Sequence, residues 1–522
     1  MPQQAYRANL SSAIFPLSIS KAGRSVIIPG PDNVYDRRVD PEGEQKTAGI
    51  PQAIYMENVI PTVEGYQSVG ILAKNSITLG AAFPSRYIPF IYKVHGKIIA
   101  LVEGISSYHA AYTNDQAVTG TWTANTGQRD AFSVVTSDWD PSQATLRGVE
   151  YVFTSSTAKL YTVATNLTLT DVTGSLSGIT AANIKIILSS HNYLIAIQSS
   201  GIISWSSTLT ATDFTASLVT GAGSATPNEL RGTIVAAYNC PEGFILYTTE
   251  GCIAATYTGN SRYPWKFREI VDAGKYSSAL QIAAVKGSQI HYAIDIHGTI
   301  RVISAQGAQL VAPELSTFAR SNKFYDSYSS GTLTSTASGP YDYTLYYLLN
   351  RYLILGASLD GTRLGTVNLF AFVYDTVQKR YGRLKHAFKY LWDDGVDIYA
   401  INNEDGAVTK LVLDIENEDA DFTSSVLILG KFKYARSRWI EPQEITIDGV
   451  RNTVSDAGIT TALIPTLDGN KFEAAVTPTR FSQSAQSITY HCNLSCHSFA
   501  LAIKGAFEVN SVEIKFSLGG TL

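Results

Sequence analysis

The residues best able to do chemistry fall into a few short clusters. The tightest is HCNLSCH, which puts His491, Cys492, Cys496 and His497 within seven residues. Two thiols and two imidazoles can make a tetrahedral zinc site, but such sites draw on two separated ligand pairs. No second Cys or His pair accompanies this one. Within SITYHCNLSCHSFALAI, read as strand, Cys492, Leu494 and Cys496 share one face and the histidines the other. One ion does not readily collect all four, so core cysteines are expected, with metal as the rival. A second cluster, His291, Asp295 and His297, shares the face of a strand in KGSQIHYAIDIHGTIRVIS. Its readings are a general-base or metal site and the polar outer face of a β-strand.

Two charge clusters remain. Asp414, Glu416, Glu418, Asp419 and Asp421 alternate as calcium ligands do. They lack the glycine of an EF-type loop, which favours a solvated linker. Lys379, Arg380, Arg383, Lys385 and Lys389, and Lys431, Lys433, Arg436 and Arg438, suit either phosphate or an acidic partner, or are outer-face charges on strands. No glycine-rich phosphate loop, G-x-S-x-G or H-E-x-x-H occurs. The sialidase box S-x-D-x-G-x-T-W is also missing, and Trp-Asp pairs occur only at Trp139-Asp140 and Trp392-Asp393, too few for a WD40 array. No catalytic residue, resident metal or cofactor is expected, and the chain does not read as an enzyme.

The elements that hold these residues are hairpins. EGFILYTTEGCIAATYTGN from Glu242 and KGSQIHYAIDIHGTIRVIS from Lys286 each pair two apolar runs across a turn, at Gly251 and Gly298. In the second, Ile290, Tyr292, Ile294 and Ile296 share a face, the period of a half-buried strand. Glycine at each turn suits a positive φ. Similar hairpins turn at His95-Gly96, Ser156, Ser200-Gly201, Asn350, Gln378 and Asp405-Gly406. Their spacing, two hairpins per ~40–50 residues, is that of four-stranded propeller blades. Five to seven blades are expected between Tyr92 and Leu413.

Composition agrees. The chain has 522 residues, 45% of them hydrophobic and only 16% charged, and Thr, Ser, Tyr, Gly and Val favour strands and turns over helices. An all-β fold follows, with more than one domain at this length. The formal net charge of −4 argues against a surface built to grip phosphates. No run has the ~20 apolar residues of a membrane helix, and the N-terminus lacks a signal-peptide core. Four cysteines are not a disulfide framework. Synthesis in a reducing cytoplasm is expected.

Three segments follow. Residues 1–90 begin with an exposed arm around Pro29 to Gly49 and form the first part of a platform. Residues 91–413 form the propeller, interrupted by Ser/Thr/Gly-rich insertions at 106–146, 207–228 and 317–339 on one rim. Residues 414–522 form the second, β-rich part of the platform, with Trp439 and Phe507 in its core.

Three stretches resemble the tail nozzle proteins of short-tailed bacteriophages, also called tail tubular protein B or packaged-DNA stabilisation protein. IYMENVIPTVEGYQSVG matches the opening strand through Asn58, Val59, Pro61, Gly65 and Tyr66. FAFVYDTVQKRYGRLKH is similar to a late propeller hairpin, with Tyr374 and Asp375 before an aromatic-Gly pair, Tyr381-Gly382. The usual aromatic there is Trp, so this sequence departs from the pattern. IKGAFEVNSVEIKFSLGGTL is like the closing strand, with Gly505, Phe507, Asn510, Ser511 and Glu513. The resemblance implies a homohexameric ring at the end of a virion's short tail. Its platform would bind a head-to-tail adaptor protein. Tail fibres or tailspikes would dock outside, a tail needle or plug would close the bore, and double-stranded DNA would pass through it non-specifically. Which loops line the channel is left open. The rivals are a receptor- or carbohydrate-binding propeller, such as a lectin-like adhesin, and a propeller glycosidase.

Overall fold

A computed structural model describes, with short gaps, residues 53–73, 142–313, 342–358, 370–434 and 439–518. It also describes the strands within 4–9, 26–28, 90–133 and 327–334. The fold is all-β apart from short helical turns.

Seven antiparallel sheets in succession make a β-propeller. Their first, axial strands are Phe90–Val94, Ser142–Leu146, Ile184–Ser190, Ile234–Cys240, Ile282–Ala284, Asp342–Leu348 and Tyr390–Asp393. Blades 2 to 5 are each an up-and-down meander of four strands. Blade 4 runs Ile234–Cys240, Gly243–Thr248, Cys252–Tyr257 and Trp265–Ile270, so the hairpin at Gly251 is its middle pair. Blade 5 runs Ile282–Ala284, His291–Ile294, Ile300–Ile303 and Ala308–Leu310, with the hairpin at Gly298 in the same place.

Period two acts here between blades rather than between core and solvent. Gly243–Thr248 is buried along its whole length. Its Phe244 and Leu246 pack with Ile186, Leu188 and Ile195 of blade 3. Its Ile245 and Tyr247 pack with Ile282, Ala293 and Ile303 of blade 5. Each such fully buried side chain contributes about 1.5–3 kcal/mol. The outer strand Trp265–Ile270 is buried only at its ends, Trp265 against blade 3 and Ile270 against blade 5, and its Lys266, Arg268 and Glu269 are exposed. The middle strands are therefore continuous apolar runs, and only the outer ones look amphipathic.

The last two blades depart from this local plan. Blade 7 consists of Tyr390–Asp393, Ile398–Ile401 and Val408–Val412, and its fourth strand is Gly70–Ala73 from ahead of the first blade. Blade 6 consists of Asp342–Leu348, Tyr352–Ser358, Phe370–Asp375 and Arg380–Leu384. Its sheet continues through Val59–Pro61, Tyr66–Ser68 and Glu508–Val509 to seven strands. The segment 1–90 is thus shared between propeller and platform rather than belonging to the platform alone.

The platform has two sheets. One orders Gln4–Asn9, Ser511–Leu518, Ile440–Asp448, Ser487–His491 and Arg480–Gln483. In the other, Val426–Tyr434 pairs with Ser498–Gly505, which pairs with Ile459–Thr466. Ala53–Glu57 and Val26–Ile28 add to the far side of Val426–Tyr434. Leu427, Phe432, Phe499, Leu501, Phe507, Ile514 and Phe516 form its core.

Several expectations change. Stretch 106–146 is no insertion: it holds the third strand of blade 1, Ser107–Thr113, and the first strand of blade 2, Ser142–Leu146. Stretch 207–228 contains the outer strand of blade 3, Gly223–Ala225, whereas 317–339 does hold a small β insertion, the hairpin of Ser327–Ser329 with Thr332–Thr334. Edge strands need little apolar surface, so Ser- and Thr-rich sequence resembled loop. The acidic break is packed: Ile415 and Phe422 are buried against Ala506, and Asp421 bridges to Ile71. Ile296 lies in the turn and is exposed, outside the buried face of its hairpin. Gly298 has φ of 73°, whereas Gly251 is not among the positive-φ residues. The arm from Pro29 to Gly49 and the Asp405-Gly406 turn lie outside the described residues.

Candidate functional site

The three stretches carrying the family resemblance meet in one place, the seven-stranded sheet of blade 6. Gly65 and Tyr66 run against Val509, with Tyr66 opposite it in register. A Cβ on Gly65 would stand 1.9 Å from the Val509 carbonyl oxygen, so the strands approach only because glycine is there. Gly382 does the same one strand over, where a Cβ would come within 2.5 Å of the Val59 carbonyl oxygen and 3.0 Å of the Pro61 ring. Asn58 sits at φ of 49°. Its side chain donates to Ser424 Oγ (2.8 Å) and accepts from the Lys385 N–H (2.9 Å). It thereby ties the propeller, the platform and the N-terminal segment together.

Tyr374 and Tyr381 are opposite each other, with ring centroids 5.0 Å apart. Asp375 is fully buried. One carboxylate oxygen accepts from Arg351 Nε (2.9 Å) and Nη2 (2.6 Å), and the other from the N–H groups of Val377 and Gln378. These bonds fix the turn around Gln378 and offset the cost of burying the charge. Phe507 is fully buried; its N–H donates to Ser68 Oγ (2.9 Å), and its carbonyl accepts from the Ser68 N–H (2.9 Å). Gly505 ends its strand at φ of 104°. Asn510 donates to Glu64 (3.1 Å). Tyr66 is enclosed, and burial pushes its phenol up to about 12, against the pull of Arg380 over its ring at 5.3 Å. Trp439 is half-buried rather than a core residue.

Two basic residues are the largest surprise. Arg383 is only 2% exposed. Its guanidinium stacks 5.3 Å from the ring centroids of Tyr55 and Phe370 and 5.9 Å from Phe372. Arg380 is buried too and donates to the Thr62 carbonyl. Neither is an outer-face charge or a phosphate contact. Their strand, Arg380–Leu384, has blade 6 on one edge and Val59–Pro61 on the other, and every position is buried. Lys385 pairs with Glu57 at 3.3 Å. Lys389, Arg436 and Arg438 lie outside the described residues. The sequence signal was there, two arginines on either side of a tyrosine in KRYGRLK, but it pointed equally to a surface.

The other candidates do not assemble. The run HCNLSCH is not one strand. Strand Ser487–His491 belongs to the first platform sheet and Ser498–Gly505 to the second, and residues 492–497 cross between them. Cys496 is buried and Cys492 half-buried, and burial pushes their thiols up to about 12 and about 11. His491 faces Glu444 at 3.6 Å. Among the described residues, no three His, Cys, Asp or Glu side chains are grouped as metal ligands.

His291, Asp295 and His297 likewise part company. His291 is fully buried, its Nδ1 2.8 Å from the Tyr247 hydroxyl and its Nε2 3.2 Å from the Asn239 carbonyl oxygen. A carbonyl only accepts, so Nε2 carries the proton and Nδ1 accepts from Tyr247. Burial holds the imidazole down to about 4. Asp295 caps the turn, accepting from the N–H groups of His297 and Thr299, and pairs with Arg301. His297 is exposed.

The remaining site is the propeller axis. A cavity of about 460 Å³ is lined by the axial strands of blades 2 to 7. A second, of about 340 Å³, opens at one mouth and shares Thr145, Ser189 and Asn239 with the first. Neighbouring axial strands are stitched together. Ser142 Oγ accepts from the Ile187 N–H (2.9 Å), and Lys185 Nζ donates to the Ile234 carbonyl (2.7 Å). At the mouth, Arg147 donates to the carbonyls of Leu209 (2.9 Å) and Asn192 (3.2 Å), and His191 stacks on Tyr257 at 4.3 Å. Among the described residues, the wall of the axial cavity has one carboxylate, Asp393, and no lysine or arginine. It is too small for a duplex whose major groove alone is about 12 Å wide.

No family model and no curated protein matches the sequence. Solved structures match as folds. YCF48 from Cyanidioschyzon merolae is 13% identical over 66% of this chain and 98% of its own, with a TM-score of 0.37. The WD40 β-propeller domain of Doa1 is 8% identical over 66% and 98%, at 0.38. Virginiamycin B lyase from Staphylococcus aureus is 8% identical over 66% and 100%, at 0.39. This chain is a β-propeller with an added platform. That assignment rests on its own seven sheets, and nothing about activity follows from likenesses this distant.

Proposed function

We propose that the chain is a structural subunit of a phage short tail, the tail nozzle, that assembles as a homohexameric ring below a head-to-tail adaptor. The observation that carries this reading is the convergence of the three family-like stretches on one sheet. Residues 58–66, 374–382 and 505–510 are remote in sequence, yet they are neighbouring strands where propeller and platform join. Short motifs that matched by chance would have no reason to share a sheet.

Two features support a conduit wall. Two arginines of the first basic run, Arg380 and Arg383, are turned inward, and a weakly acidic surface lets DNA slide rather than bind. The propeller's own axis is too narrow for duplex DNA, so the genome would use the bore between subunits. The platform would face the adaptor, and fibres or tailspikes would attach outside. Negative-stain imaging and native mass measurement of the purified chain, alone and with the adaptor, test this. Six-fold rings are the expected result. A strict monomer that forms no ring with the adaptor and is missing from virions overturns it.

A further inference from the structure

We infer that the pocket at the mouth of the axis, between blades 2, 3 and 4, binds a small hydrophilic ligand through an oxyanion, a carboxylate or a phosphate. This role does not depend on the nozzle reading. The pocket holds about 340 Å³, within the ~300–1,000 Å³ of small-ligand sites. Its wall forms where the axial strands of the three blades turn into their second strands, at Leu146 and Arg147, Ser189 to Asn192, and Asn239 to Pro241. Arg147, His191 and Asn192 have φ of 52°, 46° and 67°. Asn-Gly holds a two-residue turn of this kind most easily. An arginine and a histidine in the left-handed region therefore stand at the mouth against the local preference, as strained residues at binding sites do.

Arg147 supplies the charge. It is exposed, and three of the five N–H donors of its guanidinium go to backbone carbonyls. Nη1 donates to Leu209 (2.9 Å), and Nη2 to Asn192 (3.2 Å) and Ser207 (3.4 Å). These bonds position the fork and leave two donors over. Among the described residues no carboxylate pairs with it. The nearby acids are engaged elsewhere. Glu150 accepts from Gln143 (3.2 Å) and Thr145 (2.6 Å), Glu242 from Gln306 (3.1 Å), and Asp213 from Ser177 (2.7 Å). Neither the axial strand of blade 1, Phe90–Val94, nor residues 285–289 contain an Asp or Glu. A positioned, unneutralised guanidinium suits an oxyanion. The rest of the wall suits hydroxyls. Among the described residues, the side chains of Ser189, Asn192 and Asn239 have no hydrogen-bond partner. Asn192 is exposed, and the polar atoms of half-buried Ser189 and Asn239 are open to solvent. His191 adds no charge at neutral pH: partial burial lowers its imidazole, and its Nδ1 meets Ser190 Oγ at 3.0 Å.

The test uses the full chain and saturation-transfer NMR titrations at low salt. The probes are glucuronic acid and glucose 6-phosphate, with glucose as their uncharged parent. At least one anion should bind about tenfold more tightly than glucose, and which of the two does so distinguishes carboxylate from phosphate. Raising NaCl to about 0.5 M should weaken that binding. Arg147→Gln should weaken it about tenfold or more, and Asn239→Ala several-fold. Lys266→Gln, which removes an exposed cation from the outer strand of blade 4, should change nothing. Thermal melts establish that each variant folds; if Arg147→Gln does not, Asn239→Ala decides. The inference is overturned if neither anion binds at about 10 mM, ten times the weak-binding mark of about 1 mM. Equal binding of glucose, or undiminished binding by the deciding variant, overturns it too. So does an equal loss in Lys266→Gln, because binding would then follow overall charge rather than the pocket.

Discussion

Blade 4 and the seven-stranded sheet of blade 6 are built from the same hairpins but held together differently. Blade 4 is made wholly from residues 234–270, and each strand pairs with the next in sequence. The blade 6 sheet takes strands from residues 59–68, 342–384 and 508–509. Blade 4 packs by apolar side chains on both faces, with a few polar stitches at its axial edge. The larger sheet relies on glycines that admit close backbones, a buried Asp375 and buried arginines among aromatic rings. Local pairing gives a blade tolerance. Long-range pairing makes the joint between propeller and platform a place where single atoms matter.

The largest expected effect tests that directly. In Gly65→Ala the new methyl meets the Val509 carbonyl oxygen at 1.9 Å, with only backbone around it to yield. In Gly382→Ala the methyl meets the Val59 carbonyl oxygen at 2.5 Å. Neither clash can be relieved by turning a side chain, so the strands must separate. Losses of about 4 kcal/mol or more are expected, read as a large fall in urea midpoint together with loss of ring assembly. Wild-type midpoints for both would mean that the sheet is not the rigid joint described.

The same contrast explains what could be read from the sequence. Blades 4 and 5 were legible because GFILYT and CIAATY are neighbours on either side of one turn. Seven blades lie within the expected five to seven for that reason. Blade 7 was not fully legible, because its fourth strand, Gly70–Ala73, lies more than 300 residues from its other three. Pairing at that distance leaves no local periodicity. Arg380–Leu384 was misread for a related cause: a strand buried on both faces and both edges has no polar side to mark its burial. HCNLSCH was expected to supply core cysteines, and Cys496 is buried, but its reading as one strand failed because composition alone does not show that the chain changes sheets between Cys492 and His497. Asn58, Gly65 and Gly382 could be picked out by motif, but their role depends on what approaches them.

Arg383 sharpens the comparison next. Arg383→Ala removes a side chain enclosed by Tyr55, Phe370 and Phe372 and leaves a cavity, a loss of about 3–5 kcal/mol. Arg383→Met restores most of the volume without the charge. If packing dominates, Met recovers most of the loss; if the cation–π contacts dominate, a deficit of about 2 kcal/mol remains. Denaturant midpoints of the two variants separate these outcomes. A matching truncation in blade 4, Ile245→Ala, should cost about 2–5 kcal/mol but leave the platform attached, as limited proteolysis would reveal.

The seam of blade 4 with blade 5 has an acid-sensitive point, His291 of blade 5, which meets Tyr247 and Asn239 of blade 4. Its folded pKa, about 4, lies below the ~6.5 of an unfolded histidine. Between these values the unfolded chain binds more protons than the folded one. The stability this residue contributes is therefore present above pH ~6.5 and is lost as pH falls through 6.5 towards 4, by up to about 3 kcal/mol. Melts at pH 7.5 and 4.5 should show the fall, and His291→Gln should flatten it. An unchanged slope in that variant would assign the acid sensitivity to other groups.

The smallest effect belongs to Gly251, the glycine that first marked the repeat. A Cβ there meets no atom within 4 Å, and the residue is not in the left-handed region. Gly251→Ala therefore adds no strain to the fold and removes freedom from the unfolded chain, which stabilises by about 0.4–1 kcal/mol. The turn is held by other means: Thr248 Oγ1 accepts from the N–H groups of Glu250 and Gly251 at 3.1 and 3.0 Å. Thr248→Val should accordingly cost more than Gly251→Ala, about 1 kcal/mol in the opposite direction. A Gly251→Ala loss approaching that of Gly65→Ala would erase the distinction between blade and joint, because both glycines would then be holding backbone that no other residue can.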